Sequence, residues 1–258
     1  MPPRKKQKTA SASSSKATAV SEPSTDFPSA ALLTRALEQY PHALSLRSKE
    51  HTKAPNQLTD LDTWLTDTEN GLLSKIASSQ PVSKNDMTSL MKWKLSRGKS
   101  RPTLLGLVAA NPESLILKAT STSLKAVREA NLDLDRALLA LPDACKMKGI
   151  GAATASALLT LQAPHLLPFM SDEAASFFSR TLGAIKYTDP FYKKFAAAMV
   201  AEVQQLNAES SGPDSQVWDS MNLERALFAI CILKKHGQGE LLDDDAPSDS
   251  LKRKRDES

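Results

Sequence analysis

In the stretch KMKGIGAATASALL, residues 146–159, Gly149 and Gly151 flank Ile150 directly before a run of small residues, with Lys146 and Lys148 beside them. Glycine permits positive φ and keeps side chains off the backbone, and a helix starting at Ala152 offers free N–H groups and the positive end of its dipole. Such a mouth accepts an anion, above all a phosphate, with the lysines supplying charge and Ile150 pinning the turn to a core. An ordinary helix end and turn would use the same Gly-x-Gly. A second signal is KNDMTSLMKWKLSRGKSR, residues 84–101, where Lys84, Lys92, Lys94, Arg97, Lys99 and Arg101 stand against one acid, Asp86. Trp93 amid these cations, with Gly98 breaking the helix, fits phosphate contacts around an aromatic platform or wedge. The plain alternative is a solvated helix end and a core tryptophan. A third signal is Asp172 in MSDEAA, a carboxylate at a helix start, which as a plain N-cap would need no further role. Glu173 reads as a first-turn dipole partner or a substitute for it. Cys145 adjoins Lys146, a placement that would lower its pKa, but no base partner is apparent.

These residues need helices to position them. Between Pro28 and His236 apolar residues recur at helical spacing and period-two alternation is absent, so an all-α domain is expected over 28–236. Leu58, Leu61, Leu65, Leu72 and Ile76 form one stripe; Met87, Leu90 and Met91 form another, with Ser83 and Asn85 as caps. RPTLLGLVAAN starts a helix at Pro102 and stops it at Asn111-Pro112. Leu134, Ala137, Leu138 and Leu141 predict a helix that Pro142 ends. Phe191 to Leu206 form a further stripe, and ALFAICIL at 226–233 is apolar all round, as a central buried helix would be. ESSGPDS, 209–215, reads as a loop.

Among 258 residues there are two cysteines, Cys145 and Cys231, without CxxC or Cys/His spacing, which excludes a disulfide framework, a structural zinc site and a four-cysteine iron–sulfur cluster. The four histidines show no metal or triad pattern, so no metal ligands are expected. No apolar run is long enough for a membrane helix, and the first residues lack the apolar core of a signal peptide, so an intracellular protein without membrane contact is expected. Net charge is +4. Residues 1–27 read as a disordered basic tail and 237–258 as a disordered acidic and basic tail. RKKQK and KRKR within them read as nuclear-import signals, which implies the import machinery as a partner and the nucleus as the location.

LLALPDACKMKGIGAATASALL resembles the helix-hairpin-helix of the DNA glycosylase superfamily, with Met147, Lys148, Gly149, Ile150, Gly151, Ala152, Ala153, Thr154 and Ala155 matching its hairpin. The following LQAPHLLPFMSDEAA is similar to the family's Pro- and aliphatic-rich stretch, and Asp172 falls where that family carries an essential aspartate. The layout, MKWKLSRGKSRP included, is similar to the Amun-type glycosylase-like proteins. The resemblance implies an all-α, helix-hairpin-helix glycosylase-like fold, DNA as partner, a monomer, and base excision in DNA repair. In that reading Asp172 is the catalytic carboxylate, beside a flipped nucleotide, stabilising the cationic sugar or orienting the attacking water. DNA contacts come from Lys146, Lys148, Gly149, Ile150, Gly151 and Thr154, and from Lys92, Trp93, Lys94, Arg97, Lys99 and Arg101. The resemblance also implies a monovalent cation on the hairpin carbonyls. Ala153 stands where strand-cutting relatives carry a Schiff-base lysine, so an active enzyme would be monofunctional. MSDEA departs from the family's usual Val-Asp-x-His, and DACK adds residues before the hairpin. A DNA reader without chemistry and a protein-interaction adaptor are the alternatives.

Overall fold

The structure, a computed structural model, describes residues 27–51, 53–209 and 216–243. Among them there are helices and no strands, in the order α1 (Ala30–Glu38), α2 (Tyr40–Lys49), α3 (Gln57–Thr66), α4 (Leu72–Ala77), α5 (Lys84–Arg97), α6 (Pro102–Ala109), α7 (Glu113–Glu129), α8 (Leu134–Leu138), α9 (Leu141–Ala144), α10 (Ala152–Leu159), α11 (Asp172–Phe177), α12 (Ser179–Leu182), α13 (Asp189–Glu209) and α14 (Ser220–Lys235). The RKKQK and KRKR runs, with residues 210–215 of the expected loop, lie outside the described residues.

Helices from opposite ends of the chain close on one another. α14 is buried along 226–230 and packs against α1, α2, α11 and α13, as its all-round apolar sequence predicts. α5 is held between α3, α6 and α10. Ser83 caps it in a reciprocal box with Asp86, whose carboxylate also takes Lys75 Nζ at 2.9 Å; the second expected cap, Asn85, is not used. α7, α8 and α9 lead into the hairpin, and α10 packs on α5, α7, α9 and α13. The faces of α5, α10 and α11 thereby meet in one region.

Three sequence expectations need correction. Pro142 does not end a helix: α8 stops at Leu138, and Pro142 sits in the first turn of α9, where its missing N–H costs nothing. The apolar stripe from Leu58 to Ile76 is broken at 67–71, where Asp67 accepts the N–H groups of Glu69 and Asn70. Residues 27 and 237–243, expected in the tails, are part of the described fold. Phe27 packs its ring on Phe177 and Phe178, and 239–242 form a 3-10 turn whose Leu242 is buried and accepts Arg35 Nε.

Glu50 ties α2 to the end of α14, accepting Lys235 Nζ at 2.7 Å and His236 Nε2 at 2.8 Å and pairing with Arg47. Burial pushes its carboxyl up, but the hydrogen bonds from Lys235 and His236 outweigh it and hold the pKa at about 2. A pKa below the ordinary 4.5 means that the contribution is complete above that pH and is lost as pH falls toward about 2. Glu50→Gln is therefore expected to cost about 1–2 kcal/mol at neutral pH after allowance for solvent screening. Urea titrations from pH 7 downward should show that deficit closing near pH 2; a constant deficit would disprove the linkage.

Candidate nucleic-acid interface

The hairpin is built against α6. Gly149 has φ +80°, and a Cβ there would lie 2.9 Å from Leu107 Cβ and 3.2 Å from the Leu104 carbonyl. Asn111, fully buried just after α6, clamps the turn: its Oδ1 accepts the Lys148 N–H at 2.8 Å and its Nδ2 donates to the Lys148 carbonyl at 3.0 Å. Ile150 is buried, as its expected role in pinning the turn requires. Gly151 behaves otherwise than expected. Its φ of −110° is ordinary extended backbone, and open space surrounds the place of a Cβ. Gly149→Ala should thus cost about 2 kcal/mol, mostly the left-handed backbone penalty with some steric push on α6. Gly151→Ala should lose clearly less in the same thermal melts. Equal losses would mean that the turn relaxes freely.

Asp172 is positioned from α10 and α13. Ser156 Oγ on α10 accepts the Met170 N–H at 3.0 Å, and Tyr192 Oη on α13 donates to the Pro168 carbonyl at 3.0 Å, so the stretch before α11 is fastened on both sides. Ser171 is the N-cap of α11, accepting the Ala174 N–H at 3.1 Å. Asp172 is therefore not the cap. Its carboxylate accepts the Tyr187 hydroxyl at 2.5 Å and faces Lys99 Nζ at 3.5 Å. Arg101 lies over the Tyr187 ring at 4.8 Å. Burial first, and the Asp172 hydrogen bond second, push the Tyr187 hydroxyl up to about 12.

Two adjoining cavities meet here. The inner one, about 30 Å³, is walled by Lys94, Lys99, Ala153, Asp172, Glu173 and Tyr187, with Arg97 behind. The outer, about 300 Å³, runs along Gly149, Ile150, Gly151 and Thr154, faced by Lys94, Arg101 and Tyr187. Glu173 lines the inner cavity too, and burial raises its carboxyl above the usual range. Burial lowers the Lys94 ammonium, partly offset by the nearby Asp172 charge.

The structure brings Lys94, Lys99, Arg101, Gly149, Ile150, Gly151, Thr154 and Asp172 around these cavities, although Thr154 is itself buried. Lys146 and Lys148 are exposed beside the hairpin but line neither cavity, and Lys146 pairs with Asp143. Lys92 opens into another groove, with Asn56, Asp60 and Ser89. Trp93 is not an exposed platform or wedge. It is 4% exposed, its indole N–H donates to Asp62 Oδ1 at 2.8 Å, and its ring meets Phe169 at 5.1 Å. Arg97 is likewise no phosphate contact: 2% exposed, it forms a two-pronged pair with Glu224, both contacts 2.9 Å, and its guanidinium lies 4.0 Å from the centre of Phe228. Trp93 and Arg97 both lie on the inner face of α5, so the run of cations is split between core and groove. Cys145 is corrected too, because burial, helped by the Asp189 charge, pushes its thiol up to about 11.

Tyr187, Asn111 and Glu224 escaped the sequence reading. Glu224 was detectable as the one acid of α14, between Leu223 and the apolar run at 226–233, which signals a buried pair; Tyr187 in IKYTDP carries no such mark. Among the described residues no His/Cys/Asp/Glu cluster could hold a metal ion, and no helix is long and apolar enough to cross a membrane. The Met147, Lys148 and Gly151 carbonyls already accept Ile150 N–H, the Asn111 amide, and the Thr154 and Ala155 N–H groups. No protein-family model, no curated protein and no solved structure matches this chain.

Proposed function

We propose that this chain is a nuclear, monomeric DNA-binding protein of the helix-hairpin-helix, DNA glycosylase-like type, whose groove follows a phosphate backbone and whose Asp172 serves monofunctional base excision in DNA repair. One observation carries the reading: the groove has amide-bearing hairpin glycines on one wall, Lys94 and Arg101 on the other, and Asp172 at its inner end. Phosphates would lie against the cations and the start of α10. A flipped nucleotide would then present its sugar to Asp172. As the glycosidic bond lengthens, positive charge grows on the sugar ring, and a fixed carboxylate beside it stabilises that charge or orients the water that attacks. The RKKQK and KRKR runs support import into the nucleus.

A second reading, a glycosylase-like reader without chemistry, is favoured by the size of the inner cavity. About 30 Å³ holds a water or two, whereas about 150 Å³ is needed for benzene. A base enters only if Tyr187 parts from Asp172 and the two cavities merge.

Single-turnover base release from duplexes bearing uracil, alkylated, oxidised or methylated bases, with binding measured in the same reactions at several salt concentrations, decides between the readings. Release together with salt-sensitive binding supports the enzyme. Binding without release leaves the reader, and absence of binding overturns both and turns the search to protein partners.

A further inference from the structure

Of the chain's three tyrosines, Tyr187 alone is open to an enzyme from outside. Tyr40 and Tyr192 are buried, and their hydroxyls are spent on Asp62 Oδ1 at 2.8 Å and on the Pro168 carbonyl at 3.0 Å. Tyr187 is 39% exposed and stands in residues 183–188, a mostly exposed stretch without helix that begins where Gly183, at φ +75°, ends α12. Exposed irregular backbone can be drawn into another protein's active site, which a packed helix resists. The surroundings of the hydroxyl are those of a phosphate receptor. Arg101 lies over the ring at 4.8 Å and hydrogen-bonds the hydroxyl, and Lys94 and Arg101 line both cavities together with Tyr187. Lys99, 76% exposed, stands 3.5 Å from the Asp172 carboxylate that accepts the same hydroxyl at 2.5 Å.

On the reading of the groove as a DNA site, we propose that Tyr187 is a phosphorylation site whose modification turns the groove off. A tyrosine kinase transfers the γ-phosphoryl group of a nucleoside triphosphate to Tyr187 Oη. The Oη–P bond forms, the bond from that phosphorus to the bridging oxygen breaks, the nucleoside diphosphate leaves with the electron pair, and the phenolic proton passes to the kinase's catalytic base. The ester oxygen then has no proton to donate to Asp172, and the new group carries a charge of about −1.5 to −2 at pH 7 on three strong acceptor oxygens. Repelled by the Asp172 carboxylate and attracted by Arg101, Lys94 and Lys99, the phosphate turns into the groove and takes the cations on which a DNA backbone depends. Modification and nucleic acid thus compete for the same charges.

The test treats the full chain with a tyrosine kinase of broad specificity and ATP, maps the phosphate by peptide mass spectrometry, and measures binding to duplex DNA at several salt concentrations before and after a tyrosine phosphatase. The expected results are phosphate on Tyr187 and not on Tyr40 or Tyr192, and weaker binding with a salt slope shallower by about 1–2, the loss of one or two phosphate contacts, both reversed by the phosphatase. Phosphate on Tyr187 with binding unchanged overturns the switch and leaves the DNA reading standing. Absence of phosphate on Tyr187, where the same kinase modifies a free peptide of residues 181–193, overturns the site itself. Failure of the unmodified protein to bind the duplex overturns the DNA reading and the switch together. Every outcome is read on the wild-type chain, so none depends on a variant that fails to fold.

Discussion

Replacing Glu224 by Ala is expected to cost about 3–5 kcal/mol, because it strands the Arg97 charge in the core. Arg97 is 2% exposed and its guanidinium is enclosed by the rings of Phe228, Trp93, Phe169 and Tyr40 at 4.0, 5.3, 5.5 and 5.6 Å. Burial disfavours that charge, and the Glu224 carboxylate, with Tyr40, more than reverses the effect. The ring faces attract a cation by about 2 kcal/mol or more for a desolvated contact, but they carry no net charge to replace that of a carboxylate. Against a total stability of about 5–15 kcal/mol, such a loss removes between about a fifth and all of it. Urea unfolding at 25 °C measures it directly. Arg97→Met combined with Glu224→Leu should recover most of the stability, since removing both charges removes the penalty as well as the attraction. A loss below about 1 kcal/mol in Glu224→Ala, the range of a surface pair, would show that water reaches Arg97. The pair links α5 to α14, so its loss also loosens the helix that carries Lys94.

On the proposed reading of the groove as a base-excision site, Asp172→Asn is expected to slow base release by about 10²–10³-fold, the usual effect of deleting one group that meets charge in the transition state. Asparagine is nearly the same shape, and its carbonyl can still accept the Tyr187 hydroxyl, so the site stays assembled. What disappears is the negative charge opposite the developing cation. Binding should be retained with an unchanged salt slope, because Lys94, Lys99 and Arg101 remain, and removal of the carboxylate near Lys99 can only favour phosphates. Single-turnover release and a salt titration on the same variant separate the two effects. Unaltered release would take Asp172 out of the reaction, while a parallel loss of binding would make its role one of assembly.

The helical class, α14 as the central element, the start of α6 at Pro102 and the Ser83 cap were all readable from the chain, because each depends on residues within one or two turns: apolar period, a proline without an N–H, a serine before a helix. The hairpin turn was readable for the same reason at Gly149, where backbone conformation alone demands glycine; Gly151, in extended backbone, makes no such demand. The site was only half readable. The run from Lys92 to Arg101 looks uniform in sequence, but a helix turns its side chains by about 100° per residue. Which of them reach water depends on what packs against α5, and that is settled by α3, α6 and α10 and by Glu224 of α14. Trp93 thereby goes to Asp62 and Arg97 to Glu224, while Lys94 and the residues past Gly98 are left to the groove. Tyr187 reaches Asp172 only because α11 and the turn before α13 come together. Local periodicity and turn chemistry belong to the sequence; which charge is buried, which is paired and which lines the groove is decided by contacts between residues far apart in the chain.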